Sequence, residues 1–156
     1  MRREALRFIV LMGLVSMLAD VTYEGARSVI GPFLLTLGAG SGTVGVVAGA
    51  AELAGYGVRV LSGRLADRTS RHWLFTGLGY AVNVLAVPAL ALAASWQWAA
   101  VLMILERTGK AVRTPSRDAM LASASRQVGT GLGFGLHEAL DQVGAVAGPL
   151  AVAAVL

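Results

Sequence analysis

Long apolar runs alternate with short polar breaks along this chain, and the alternation repeats until five apolar runs have passed. A bilayer core needs about 20 consecutive apolar residues in a helix. The pattern therefore predicts five helical spans, at 6–37, 43–63, 73–94, 98–122 and 131–156. The breaks differ in kind. Residues 38–42 are uncharged and glycine-rich, as a tight turn requires. Residues 63–71 read Gly63-Arg64-Leu65-Ala66-Asp67-Arg68-Thr69-Ser70-Arg71, the densest charge outside an apolar run, and are read as a turn. Ser95-Trp96-Gln97-Trp98 is a turn whose tryptophans suit a membrane interface. A polar linker over 123–130 precedes the last run. The expected fold class is all-α, a polytopic transmembrane helical bundle.

Composition sharpens this picture. The chain is 56% hydrophobic and only 14% charged, against about 25% charged in a soluble domain. Arg2 and Arg3 ahead of the run 8–19 imitate a secretory signal. No clean small-residue cleavage site follows, and more apolar segments do, so this run reads as an uncleaved first span. There is no cysteine, which excludes disulfides and thiol chemistry. The net charge of +4 would suggest nucleic acid in a soluble chain. Here the basic residues gather at the ends of apolar runs, so they read as a topology signal, with lipid and not nucleic acid as partner. Of 13 basic residues only Lys110 is lysine, and Ala, Gly and Val abound, which suggests a GC-rich bacterial genome.

Arg2, Arg3, Arg7, Arg64, Arg68, Arg71, Arg117 and Arg126 fall at the N-terminus and around the second and fourth breaks. The first and third breaks carry no basic residue. The positive-inside rule then places the N-terminus in the cytoplasm of a bacterial plasma membrane. An odd number of spans leaves the chain ending outside. The expectation is a piece of a longer polypeptide, with missing C-terminal helices or a partner chain supplying the rest.

Charges within the spans carry the candidate chemistry. Each costs about 2.5–3.5 kcal/mol at mid-bilayer, while an apolar residue returns only about 0.3–0.6. They must therefore be shielded, paired or wetted. Their spacing is helical: Asp20, Glu24 and Arg27; Glu52, Tyr56 and Arg59; Glu106, Lys110, Arg113 and Arg117, with Arg107 alongside; His137, Asp141, Gly144 and Gly148, with Glu138 adjacent. Each set makes a polar stripe on one helix face. Four striped helices suggest a polar path, with the charge-free third span at the lipid-facing periphery. The competing reading is structural: Asp20, Glu24, Glu52, Glu106, Glu138 and Asp141 nearly balance Arg27, Arg59, Arg107, Lys110 and Arg113, and could simply pair. Gly45/Gly49 and Gly144/Gly148 have the spacing that lets helices approach closely. Pro149 weakens the fifth helix locally.

These residues resemble the major facilitator superfamily of transporters. That family's cytoplasmic turn between helices two and three reads G-x-L-x-D-R-x-G-R-[KR], and here Gly63, Leu65, Asp67, Arg68 and Arg71 match it. Ser70 stands where the family has glycine, and His72 where it has a basic residue. Arg107-Thr108-Gly109, with Pro115 downstream, fits the family's mid-helix-four arginine. Gly144, Gly148 and Pro149 match the helix-five pattern of drug/proton antiporters, but Val152 and Ala153 replace its final glycines. The stretches 106–115 and 136–142 look like an uncharacterised bacterial branch.

The resemblance covers the first five of the family's usual twelve helices. It implies secondary transport of a small molecule by alternating access, proton-coupled, with efflux or antiport favoured. Gly63, Leu65, Asp67, Arg68 and Arg71 would form a cytoplasmic gate. Asp20, Glu24 and Asp141 would be candidate proton carriers, tuned by Arg27 or Arg107. Glu52, Tyr56, Glu106 and Glu138 would line a substrate cavity. Two other classes stay open, a non-transporting membrane scaffold or sensor and a fragment of a membrane-embedded enzyme. Against the enzyme, no His/Asp/Glu set has metal-ligand spacing, and no P-loop or nucleophile motif appears. Neither metal nor cofactor is expected.

Overall fold

A computed structural model describes residues 2–156 of the chain. Five helices follow one another: α1 (Arg2–Thr36), α2 (Ser41–Thr69), α3 (His72–Leu90), α4 (Trp96–Ser125) and α5 (Thr130–Val155). No strand occurs among the described residues. Four of the helices, α1, α2, α3 and α5, are long and apolar enough to cross a membrane. The exception, α4, is 30 residues long, about 45 Å at 1.5 Å per residue. Length is not what it lacks. Glu106, Arg107, Lys110, Arg113, Arg117 and Asp118 interrupt its apolar character.

Element boundaries depart from the sequence reading where polar residues continue a helix. Residues 63–71 are not a turn throughout: 63–69 form the last turns of α2, and only Ser70 and Arg71 break the helix. Leucine, alanine and arginine are all strong helix formers, and charge alone does not end a helix that has reached water. The break comes from backbone geometry. Ser70 is the one non-glycine residue among those described with positive φ (54°), and its N–H closes on the Ala66 carbonyl at 2.8 Å. Likewise α4 begins at Trp96 and runs on to Ser125, taking in part of each expected turn.

Ser70 sits where the resemblance places glycine. A left-handed conformation costs a residue with a Cβ about 1–2 kcal/mol. Ser70→Gly is therefore expected to stabilise the protein by about 1 kcal/mol. Thermal unfolding in detergent micelles checks this, and an unchanged or lowered midpoint would contradict it.

The chain divides into two compact units, one of residues 1–28 and 117–156, the other of residues 29–116. In the second unit, α2 and α4 run parallel. Gly55 approaches Arg107, Ser62 approaches Ala111 and Gly63 approaches Pro115, in step along both helices. Antiparallel to α4 runs α3, and the two cross at a pair of glycines. A Cβ on Gly79 would lie 2.6 Å from the Gly109 carbonyl oxygen, and one on Gly109 would lie 2.9 Å from that of Gly79. Leu34, Val47, Ala51, Leu90, Ala99 and Met103 make an apolar core at the end of this unit where α2 and α4 begin.

In the first unit α1 and α5 run parallel and nearly touch. Gly144 packs against the backbone of Met17 and Gly148 against that of Val21 and Gly25. At Gly45 and Gly49, the other pair with this spacing, an added Cβ would meet no other helix within 4 Å. Spacing alone could not separate the two pairs, because it marks a possible contact face and not its occupant.

Outer faces of the helices are apolar. Leu53, Val60 and Leu61 on α2, Leu74, Leu78 and Leu85 on α3, and Leu150 on α5 stand exposed. So much exposed leucine and valine belongs in lipid, because soluble monomers rarely leave large contiguous apolar patches uncovered.

Candidate functional site

Each unit holds its own polar cluster. In the second unit the cluster is layered around α4. On one side, Asn83 of α3 donates a hydrogen bond to Oε1 of the buried Glu106 carboxylate. Arg113, fully buried, lays its guanidinium over the Tyr80 ring, 4.2 Å from the centroid, a cation–π contact that burial strengthens. Gly79 makes room for this, since a Cβ there would meet Arg113 Cβ at 2.6 Å. On the other side, Arg107 Nη2 pairs with Glu52 Oε1 of α2 at 2.9 Å, and only 11% of the Arg107 side chain is exposed. Glu52, Tyr56, Arg59, Arg107 and Lys110 line an open recess between α2 and α4. Arg59 leans over Tyr56, 5.8 Å from its ring centre.

One further bond explains how α2 is held to α4. Pro115 has no N–H, so the Ala111 carbonyl four residues earlier loses its helical partner. The Ser62 hydroxyl donates to that carbonyl at 3.0 Å. A buried carbonyl freed in this way costs free energy unless it finds such a donor. Pro115 itself packs on Gly63, where a Cβ would sit 3.4 Å from the ring. Gly63 is thus a contact point with α4, while Leu65, Asp67, Arg68 and Arg71 are exposed.

In the first unit the centre is Asp141, buried on α5. Its Oδ2 receives a hydrogen bond from Arg117 Nη1 at 3.2 Å and lies 3.5 Å from His137 Nε2. The same Arg117 nitrogen donates to Ser16 Oγ of α1 at 2.8 Å. Its other nitrogens reach the neighbouring Asp118 at 3.0 and 3.1 Å. Arg117 therefore ties three helices together. Asp20 is buried on α1. Arg27 meets Glu24 at 3.6 Å on the same helix with half of its side chain exposed, a weak pair. Glu138 is exposed and accepts a hydrogen bond from Gln142 at 2.8 Å. Gly144 and Gly148 form the contact with α1 described above, with Pro149 following on the same helix.

The grouping differs from the sequence-based one in three ways. Arg117, counted there both on the stripe of the fourth helix and as a topology marker, holds Asp141 of α5. Arg107, a candidate partner for the proton carriers, pairs with Glu52. The charge-free third helix does expose Leu74, Leu78 and Leu85, yet it buries Thr76 and brings Tyr80 and Asn83 against α4. Those three carry no charge, so a stripe of charged residues does not reveal them. Thr76, Tyr80 and Asn83 fall at i, i+4 and i+7, so the signal was present in uncharged form. No group of three or more His, Asp or Glu residues that could hold a metal occurs among the described residues.

Comparison with known proteins places these features in context. The chain is 52% identical over 152 residues to an uncharacterized protein of Mycobacterium tuberculosis, covering 97% of this chain and 37% of that protein. An uncharacterized protein of Mycobacterium bovis matches equally. An uncharacterized MFS-type transporter of Methanocaldococcus jannaschii is 34% identical over 146 residues, covering 94% of this chain and 36% of that protein. The chain thus spans little more than a third of the length of the curated relatives it matches. No protein-family profile matches it, and no solved structure does.

Proposed function

We propose that this chain is the N-terminal portion of a secondary transporter of the major facilitator superfamily, which moves a small solute across the plasma membrane by alternating access. The observation that carries this reading is the 34% identity to an MFS-type transporter along 94% of the chain. The Gly63–Arg71 motif supports it independently, since Asp67, Arg68 and Arg71 stand exposed at the end of α2, free to meet a second bundle. In this reading the N-terminus and the motif face the cytoplasm, and the remaining helices of a longer protein complete the path.

Proton-coupled exchange is the mode proposed. A carboxylate can serve such coupling when a conformational change brings or removes its cationic partner. Asp141 is the favoured group, because Arg117, which holds it, also holds Ser16 of α1. Movement between these helices would alter that contact. Asp20 and Glu24, on α1, are further candidates.

Asp67→Asn tests the gate. It is expected to lower proton-driven solute flux in membrane vesicles carrying the longer protein by about tenfold or more, an effect of roughly 1.4 kcal/mol on the limiting step. Membrane insertion and expression should stay at wild-type levels, since Asp67 is exposed. Wild-type flux in that variant would remove the gate from the reading. Absence of solute flux in the wild type, under any imposed proton gradient, would favour the scaffold or sensor alternative.

A further inference from the structure

We infer that the recess between α2 and α4 is an anion-binding site, which takes a carboxylate or phosphate group. In the middle of α2 and α4, Arg59, Arg107, Lys110 and Arg113 outnumber the carboxylates Glu52 and Glu106 by four to two. However those two acids are shared out, positive charge is left over. The excess is not spread evenly. Glu106 is engaged by Asn83, and Arg113 by the Tyr80 ring, both on the α3 side. Arg59, Arg107 and Lys110 line the recess, and Glu52 is the acid that lines it with them. A cationic recess at membrane depth needs a counter-charge.

The geometry also says what kind. The Arg107 side chain is largely buried, and it holds one carboxylate oxygen of Glu52 at 2.9 Å. A guanidinium offers five donors in a planar fork suited to two-oxygen groups. Glu52, with 43% of its side chain exposed, occupies part of that fork from the open side of the recess. Its carboxylate shows the chemistry that Arg107 accepts. It also makes Glu52 a built-in competitor, which an incoming anion would displace or join. Arg59 and Tyr56, at the exposed rim, would close over the bound group. The anion could be part of a transported solute, in which case the inference rests on the transport reading above, or a lipid headgroup at the edge of the recess.

Binding is measurable without flux. The longer protein that carries this chain, in phosphatidylcholine nanodiscs, would be titrated with citrate and with inorganic phosphate by calorimetry at constant ionic strength. Wild type is expected to bind at least one of them. Arg107→Gln with Lys110→Gln should weaken binding by about 10–100-fold, the usual worth of charge-assisted hydrogen bonds. Glu52→Gln should tighten it several-fold, because the competitor is gone. That opposite sign guards against misfolding, since a damaged protein would not bind better.

A second arm adds phosphatidylglycerol to the nanodiscs. If it competes with the free anion, or alone stabilises wild type and not the double variant, the site takes a lipid headgroup. If it does neither while citrate or phosphate binds, the site takes a soluble anion. The inference is overturned if wild type responds to none of the three, if the folded double variant binds as wild type does, or if Glu52→Gln binds no more tightly. Failure here leaves the transport reading intact with a substrate of other charge. Failure of flux with binding preserved removes the transporter and leaves the site.

Discussion

Gly148→Leu is expected to be among the most damaging single substitutions in this chain for stability, and Gly49→Leu to be nearly silent. Both residues stand four positions after another glycine, and both spacings suit a close helix contact. Only one is used. A Cβ on Gly148 would meet the Val21 carbonyl oxygen and, at 2.8 Å, the Gly25 nitrogen. These are backbone atoms of α1, which cannot rotate away as a side chain would. The two helices must move apart along their whole contact, which also runs through Gly144 and Met17.

Overpacking usually costs about 1–3 kcal/mol. With only backbone to yield, and with the Arg117 bond to Ser16 depending on the same helix spacing, the upper end of about 3 kcal/mol is expected here. A Cβ on Gly49 would meet nothing within 4 Å, so leucine there should cost no more than about 0.5 kcal/mol beyond helix propensity. Its propensity change even favours leucine, by up to about 1 kcal/mol. Reversible unfolding of both variants in mixed detergent micelles measures the contrast. Equal midpoints would mean that α1 and α5 do not meet at Gly148.

That contrast also shows how far the sequence could be read. The helices themselves were legible, because apolar runs of membrane length separated by glycine and charge admit little else. So were the stripes on each helix, since a 3.6-residue period follows from the sequence alone. What one helix offers its neighbour was not legible. Gly45/Gly49 and Gly144/Gly148 are indistinguishable until α1 is seen against α5. Ser62 carried no signal at all, because its role exists only once Pro115 of another helix has freed a carbonyl beside it. The stretch at 63–71 misled in a different way. Its charge ends the apolar run, but the helix ends where the backbone turns, at Ser70. Arg117 was legible only in part. Its helical spacing put it on the stripe of the fourth helix, but nothing in that spacing says that it reaches Asp141 of α5 and Ser16 of α1.

Arg117→Gln should cost more stability than Asp141→Asn, although the two side chains form one pair, and the double variant should be more stable than Arg117→Gln alone. The pair is well shielded, with 12% of the Arg117 and 11% of the Asp141 side chain exposed. Removing one partner of such a pair strands the other, at about 3–5 kcal/mol. The stranding is unequal. Without Asp141, Arg117 still has Asp118 at 3.0 Å and the Ser16 hydroxyl at 2.8 Å. Without Arg117, Asp141 is left with His137 at 3.5 Å, and that imidazole helps as a charge only when protonated. So Arg117→Gln is assigned the full loss of about 3–5 kcal/mol. Asp141→Asn is assigned about 1–3 kcal/mol, the value for losing one hydrogen bond to a charged group while its partner keeps others. Asp118→Asn, at a side chain 43% exposed, should cost under about 1 kcal/mol. Adding Asp141→Asn to Arg117→Gln removes the stranded carboxylate and should recover part of the loss. Unfolding midpoints of the four proteins in one detergent decide the matter. If the losses of the two single variants merely add, Asp141 is not held by Arg117, and the helix-spanning contact offered above as the coupling element fails with it.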